Sequence, residues 1–136
     1  MIRFGMHSSL WTSAWTREGA DMSVAECARR GFEVVEIALL EPDAIDIQHS
    51  LSLFARYGVA PTASLCLPEA IEATRHPQEA QAFLMRALDV AHALGCNTLT
   101  GVTYSTLGYR SGAAPTEAEY DAIALALKPV ARRAAD

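Results

Sequence analysis

The sequence has no glycine-rich phosphate-binding loop, no long apolar run and no concentration of basic residues. Neither G-x-G-x-x-G nor G-x-x-x-x-G-K-[ST] occurs, so the common nucleotide-binding loops are excluded. No apolar run approaches the ~20 residues that cross a bilayer. Ten arginines and a single lysine, Lys128, are scattered along a chain of net charge −5. We therefore expect neither a nucleic-acid nor a membrane partner.

Cysteine is scarce as well. Cys27, Cys66 and Cys96 are odd in number, and no two of them form a CxxC pair. This pattern indicates reduced thiols in a cytoplasmic protein rather than a disulfide framework or a zinc site. The N-terminus leads directly into a strand pattern, without the charged and apolar regions of a secretory signal, which also predicts a cytoplasmic location.

Length and composition indicate one folded domain. The 136 residues are 51% hydrophobic and 20% charged, which is typical of a globular protein with a hydrophobic core. The chain is nevertheless well short of the ~250 residues of a complete eight-stranded α/β barrel.

A unit of helix, glycine and strand recurs three times, with glycines at positions 31, 58 and 95. An apolar segment at the N-terminus adds a first strand, and Thr116 with Glu119 has the spacing of a capping box before the last helix. Ser23 with Glu26 has the same spacing, although Ser23 lies inside the first predicted helix. The predicted strands are 2–6, 32–38, 59–67 and 97–102, and the predicted helices are 16–30, 42–57, 78–94 and 116–130. Strict βα alternation predicts an α/β fold with a parallel sheet.

Two architectures fit this order of elements: an open doubly wound sheet, or the first half of a closed eight-stranded barrel. In both, ligands bind at the carboxyl ends of the strands. The loop after the first strand, 7–15, and the loop after the fourth, 103–115, are therefore the expected binding loops. An open nucleotide-binding sheet would usually have a glycine-rich first turn, where this chain has His7-Ser8-Ser9.

Four segments carry a family resemblance, namely FGMHSSLWTSAW, GFEVVEIALLEPD, ASLCLP and TGVTYSTLGYRSG. In their order and spacing they resemble the N-terminal half of the sugar isomerase/epimerase family with the xylose-isomerase-like barrel, and within it the D-tagatose and D-psicose type of ketose 3-epimerase. The resemblance implies that residues 1–136 form the (βα)4 N-terminal half of a TIM barrel, from its first strand to its fourth helix.

The resemblance also implies an activity. Such enzymes epimerise a free ketose at C3 with Mn²⁺ or Mg²⁺, and two metal-bound glutamates move the proton through an enediolate. Their metal ligands lie on strands 5 to 8, so this chain is expected to contain no catalytic residue and no metal ligand. In the chain itself, His92 and Cys96 have the i, i+4 spacing of a ligand pair but lack further ligands.

The same resemblance places substrate-binding residues. Trp15 would pack on the sugar, Glu36 would lie at the pocket edge, and the remaining wall residues would be His7, Ser64, Gly101, Val102 and Leu107. Histidine and leucine depart from the aromatic residues usual at positions 7 and 107. An imidazole at position 7 leaves a phosphorylated ketose open as the substrate. Core packing for Trp15, a backbone partner for His7 and a solvated carboxylate for Glu36 are the competing interpretations.

Two further alternatives remain at this point. The full protein could be a sibling barrel enzyme of the hydroxypyruvate isomerase or inosose dehydratase type, or the chain could be a non-catalytic binding module that pairs with a partner. Unprotected edges at the first and fourth strands favour a portion of a larger enzyme over a small autonomous domain. We expect the isolated chain to be inactive and the protein to be a homo-oligomer that binds a small sugar.

Overall fold

The computed structural model describes residues 2–135, in which four strands and four helices alternate. Three short 3₁₀ turns follow the first three strands. The strands are β1 (Gly5–His7), β2 (Val34–Ala38), β3 (Ala60–Cys66) and β4 (Leu99–Val102), and the helices are α1 (Arg17–Arg29), α2 (Ile47–Tyr57), α3 (Pro77–Ala93) and α4 (Glu117–Ala135). The predicted βα alternation is confirmed.

The sheet is parallel throughout, in the sequential order β1-β2-β3-β4. A doubly wound sheet reverses its order after the first strand in order to place helices on both faces. Sequential order with right-handed crossovers places every helix on one face instead. The open doubly wound alternative is therefore excluded.

The core lies between the sheet and its helices. One cluster joins Val35 and Ile37 of β2 to α1 and α2, and a second joins Ala63 and Leu65 of β3 to α3 and α4. Because side chains alternate along a strand, Glu36 of β2 and Ser64 of β3, which lie between these residues, point to the opposite face. We call that opposite side of the sheet the open face.

The first strand is shorter than predicted. Regular pairing begins at Gly5, whereas Ile2 and Phe4 are exposed. The Phe4 carbonyl still accepts a hydrogen bond from the Glu33 amide at 2.9 Å. A central apolar strand and an apolar segment at a sheet edge have the same sequence pattern, so burial could not be inferred from it.

The helix ends agree with the sequence at some positions and not at others. Thr116 and Glu119 form the predicted capping box, with the Thr116 amide donating to Glu119 Oε2 at 2.7 Å and the Glu119 amide to Thr116 Oγ1 at 3.3 Å. Ser23 lies inside α1, as predicted, and Thr16 caps that helix. Helix α2 begins later than predicted, at Ile47, after a 3₁₀ turn.

Candidate functional site

Polar side chains converge on the open face. Strand pairing places His7 beside Glu36 and Glu36 beside Thr62, while Ser64 lies beside Thr100 in the next layer. Paired residues of parallel strands point to the same side of the sheet. The open face therefore carries hydrogen-bonding groups, whereas the helix-facing side of β2 and β3 is apolar.

Three of the predicted site residues form one cluster. Nε2 of His7 lies 3.1 Å from Oγ of Ser64, across the sheet from β1 to β3. The same nitrogen lies 3.8 Å from Oε1 of Glu36. The imidazole and the carboxylate are both partly exposed, at 36% and 40% of their side-chain surface. A small polar molecule can therefore reach these two groups.

Ser9 completes the cluster and was not identified from the sequence. His7 caps the 3₁₀ turn after β1, where its Nδ1 accepts from the Ser9 amide at 3.1 Å and lies 2.7 Å from Ser9 Oγ. The adjacent Ser8 is buried, and its hydroxyl accepts from the Ala38 amide at 3.1 Å. A run of two serines after a strand was the available signal, because serine hydroxyls bond to nearby backbone groups in turns.

Trp15 lies apart from this cluster. Its side chain is 5% exposed, packs at 6.3 Å from the Phe54 ring centroid, and donates from Nε1 to Ser50 Oγ at 3.0 Å. Ser50 in turn donates to the Asp46 carbonyl at 2.8 Å. These contacts tie the loop after β1 to the first turn of α2, which is the core-packing interpretation of Trp15.

Gly101 and Val102 lie on β4, and the structure records no hydrogen bond between them and the His7 cluster. Gly101 pairs with Leu65, and Val102 pairs with Cys66 on the open face. The backbone of Gly101 has a φ of +104°, and a Cβ atom there would lie 2.1 Å from the Leu65 carbonyl oxygen. Glycine at this position lets β4 approach β3 closely, whether or not a ligand binds.

The loop 103–115 is anchored at the carboxyl end of β3. The Leu67 amide donates to the Ser105 carbonyl at 3.1 Å, and the Thr106 hydroxyl donates to the Leu67 carbonyl at 2.9 Å. Leu107 follows immediately, and its side chain is 74% exposed. Leu107 therefore lies exposed on the rim formed by the loops at the carboxyl ends of the strands, and it is not packed against the His7 cluster.

Glu72 is a second residue that the sequence did not single out. It is fully buried between the loops that follow β3 and β4. Its Oε2 accepts from the amide and the hydroxyl of Thr74, while Oε1 has no hydrogen-bond partner among the described residues. Oε2 also lies 3.7 Å from Nε of Arg75. Charged residues are rarely buried unless they are paired, so a glutamate in a turn-rich stretch gave no signal of burial.

The part of the chain described by the structure does not fit a divalent-metal site. Among residues 2–135, no three His, Cys, Asp or Glu side chains come together as ligands.

Burial raises the pKa of the Cys96 thiol to about 11 and also raises that of Cys27. Both thiols therefore stay protonated near neutral pH, as expected for packing residues.

Over residues 2–135, no helix is both long and apolar enough to traverse a bilayer.

The chain is similar to known proteins over almost its whole length. It is 35% identical over 139 residues to the L-ribulose 3-epimerase of Methylomonas sp. (strain DH-1), covering 99% of this chain and 48% of the relative. It is 33% identical over 110 residues to the ketose 3-epimerase of Arthrobacter globiformis. The chain spans about half the length of the curated relatives it matches. No protein-family profile matches it.

Solved structures agree with the sequence comparison. The D-allulose 3-epimerase of Methylomonas sp., in complex with D-allulose, has a TM-score of 0.92 and 33% identity to this chain. The match covers 99% of this chain and 48% of that structure. A D-psicose 3-epimerase from Clostridium cellulolyticum H10 is only 16% identical but has a TM-score of 0.80, which shows the shared fold. The four βα units correspond to half of these barrels.

Proposed function

We propose, from the membership of this chain in the ketose 3-epimerase family, that it supplies one substrate-binding wall of a sugar epimerase acting at C3. The observation that carries the proposal is the match of 99% of the chain to half of a D-allulose 3-epimerase at a TM-score of 0.92. The partly exposed polar cluster on the open face is the part of this chain best suited to contact a sugar.

The chemistry of the cluster supports a polyhydroxylated ligand. His7 and Ser64 offer a ring nitrogen and a hydroxyl as hydrogen-bonding groups, and Glu36 offers a carboxyl oxygen 3.8 Å from the imidazole. Hydroxyl groups donate and accept at once, so they can pair with both kinds of group. We assign His7, Glu36 and Ser64 to substrate binding, with Val102 and Leu107 farther along the rim and Gly101 as a backbone position.

The proposal assigns neither the metal nor the proton transfer to this chain. Epimerisation at a sugar carbon needs a developing oxyanion to be stabilised and a base on each face of the carbon. A Mn²⁺ or Mg²⁺ ion would supply that stabilisation, but the described residues do not fit such a site. We propose that the metal ligands and catalytic carboxylates belong to the remainder of the enzyme, and that this chain by itself is inactive.

Deuterium exchange at C3 tests both parts of the proposal. D-allulose is incubated in D₂O with Mn²⁺, with this chain alone or together with a separately expressed C-terminal half of the Methylomonas relative. We expect no exchange with the chain alone and measurable exchange with the pair. In the pair, Ser64→Phe should lower kcat/KM by at least about tenfold by filling the open face, whereas the exposed control Ser52→Phe should not.

Two results would contradict the proposal. Exchange catalysed by this chain alone would show that it contains its own catalytic groups. A pair that assembles and exchanges C3 equally well with Ser64→Phe would show that the open face does not contact the sugar.

A further inference from the structure

We propose that Ser9 is a positioning residue that holds His7 in its Nε2–H tautomer and thereby makes the Ser64 hydroxyl a hydrogen-bond donor toward the ligand. The step from this polarity to a sugar rests on the function proposed above. The direction of the hydrogen bonds itself rests on the contacts of Nδ1 with Ser9 and of Nε2 with Ser64.

The first contact sets the direction. The backbone amide of Ser9 lies 3.1 Å from Nδ1 of His7. An amide N–H can donate but cannot accept, so Nδ1 must present its lone pair. The Ser9 hydroxyl, 2.7 Å from the same nitrogen, can donate to it as well. Both groups of Ser9 therefore favour an unprotonated Nδ1.

The second contact follows from the first. In a neutral imidazole with unprotonated Nδ1, the hydrogen is on Nε2. Nε2 lies 3.1 Å from Ser64 Oγ and 3.8 Å from Glu36 Oε1, so Ser64 is the partner within hydrogen-bond distance. The opposite tautomer would turn an N–H toward the Ser9 amide and lose that bond.

Ser64 then has one free hydrogen. Its oxygen accepts from His7, and that is the single hydrogen bond recorded for the Ser64 hydroxyl among residues 2–135. Ser64 is 8% exposed on the open face, between Ala38 and Thr100 in the pairing register. A ligand atom placed there must accept, as the lone pair of a sugar hydroxyl or carbonyl oxygen does. Glu36 and Arg3 are the charged residues of the neighbouring recess that His7 lines together with Thr62.

The tautomer of His7 can be read from the ¹⁵N chemical shifts of its ring in the intact chain, at about pH 8, where an ordinary imidazole is neutral. We expect the Nε2–H form in the wild type and in Ser9→Ala, which keeps the backbone amide. Ser9→Pro removes the amide as well as the hydroxyl. Relative to Ser9→Ala, it should raise the ratio of the Nδ1–H to the Nε2–H form about fivefold, the factor for one neutral hydrogen bond. Ser64→Ala should leave the tautomer unchanged.

The outcomes separate this inference from the proposed function. An Nδ1–H tautomer in the wild type, or a Ser9→Pro variant that is folded by circular dichroism and keeps the wild-type ratio, overturns the role of Ser9. If Ser9→Pro does not fold, the wild-type measurement alone decides. D-allulose should shift the His7 Nε2 resonance in the wild type but not in Ser64→Ala. The expected tautomer without any response to D-allulose contradicts sugar binding by this face and leaves the assignment of Ser9 intact.

Discussion

His7 shows how one side chain acquires several partners through the fold. Along the sequence it is a histidine at the end of a short strand, with Ser9 two residues away. In the folded chain its ring also meets Ser64, 57 positions later, and approaches Glu36 of the strand between them. The competing interpretation, a histidine bonded to a backbone group, describes Nδ1 correctly. It does not account for Nε2, which faces the open side.

At the same scale, Gly101 offers a sharp test of local geometry. We expect Gly101→Ala to lower the free energy of unfolding by more than the ~1–3 kcal/mol of a strained backbone, because its Cβ would lie 2.1 Å from the Leu65 carbonyl. Gly112→Ala is the matched control, since φ is +77° there and nothing lies within 4 Å of the added atom. Urea denaturation followed by circular dichroism measures both. Equal losses for the two variants would show that β4 is not held close to β3.

Helix α1 illustrates what controls an element. Its N-terminus is set by Thr16, whose hydroxyl accepts from the Gly19 amide at 3.1 Å. Ser23 has the sequence spacing of a capping box with Glu26, yet it lies within the helix and its hydroxyl has no partner in the described chain. Glu26 instead pairs with Arg29 and Arg30, which lowers its pKa.

Substitutions at these two positions should therefore differ. Thr16→Ala is expected to lower the free energy of unfolding by about 0.5–2 kcal/mol, the usual cost of a lost N-cap. Ser23→Ala removes an unsatisfied buried hydroxyl and should be neutral or stabilising. Thermal and urea denaturation of both variants provide the comparison. A larger loss for Ser23→Ala than for Thr16→Ala would contradict the observed cap.

At the scale of the whole molecule, one side of the sheet is not covered by any helix of residues 2–135. The accessible surface is 8138 Å² for a mass of 14.7 kDa. A compact monomer of this mass exposes about 6,900 Å². The excess of roughly 1,200 Å² is consistent with an open face and two sheet edges, at β1 and β4, that are not covered by the described residues.

We therefore expect the isolated chain to self-associate at micromolar concentrations, measured by sedimentation velocity. Phe4, 70% exposed beside the β1 edge, should contribute, so Phe4→Lys should weaken association at least about threefold. Met22→Lys is the matched control, because Met22 is 52% exposed on helix α1 and not on a strand. A chain that stays monomeric over the whole concentration range would contradict this prediction.

The order of elements and the parallel sheet could be inferred from the chain because they depend on local patterns: βα alternation, glycine after each of three helices, and a capping box before the last. All three glycines do have a positive φ. The family resemblance correctly identified half of a barrel, which the comparisons confirm. Its substrate-wall residues were placed by motif, and their roles as ligand contacts remain proposals.

The spatial neighbours of each side chain could be identified only from the three-dimensional structure. Strand order distinguishes a half barrel from a doubly wound sheet, yet it depends on pairing between segments far apart in the chain. Burial of Trp15 against Ser50, the unpaired oxygen of Glu72 and the meeting of His7 with Ser64 depend likewise on long-range packing. Local periodicity shows which residues share a face of one element; it contains no information on which elements then become neighbours.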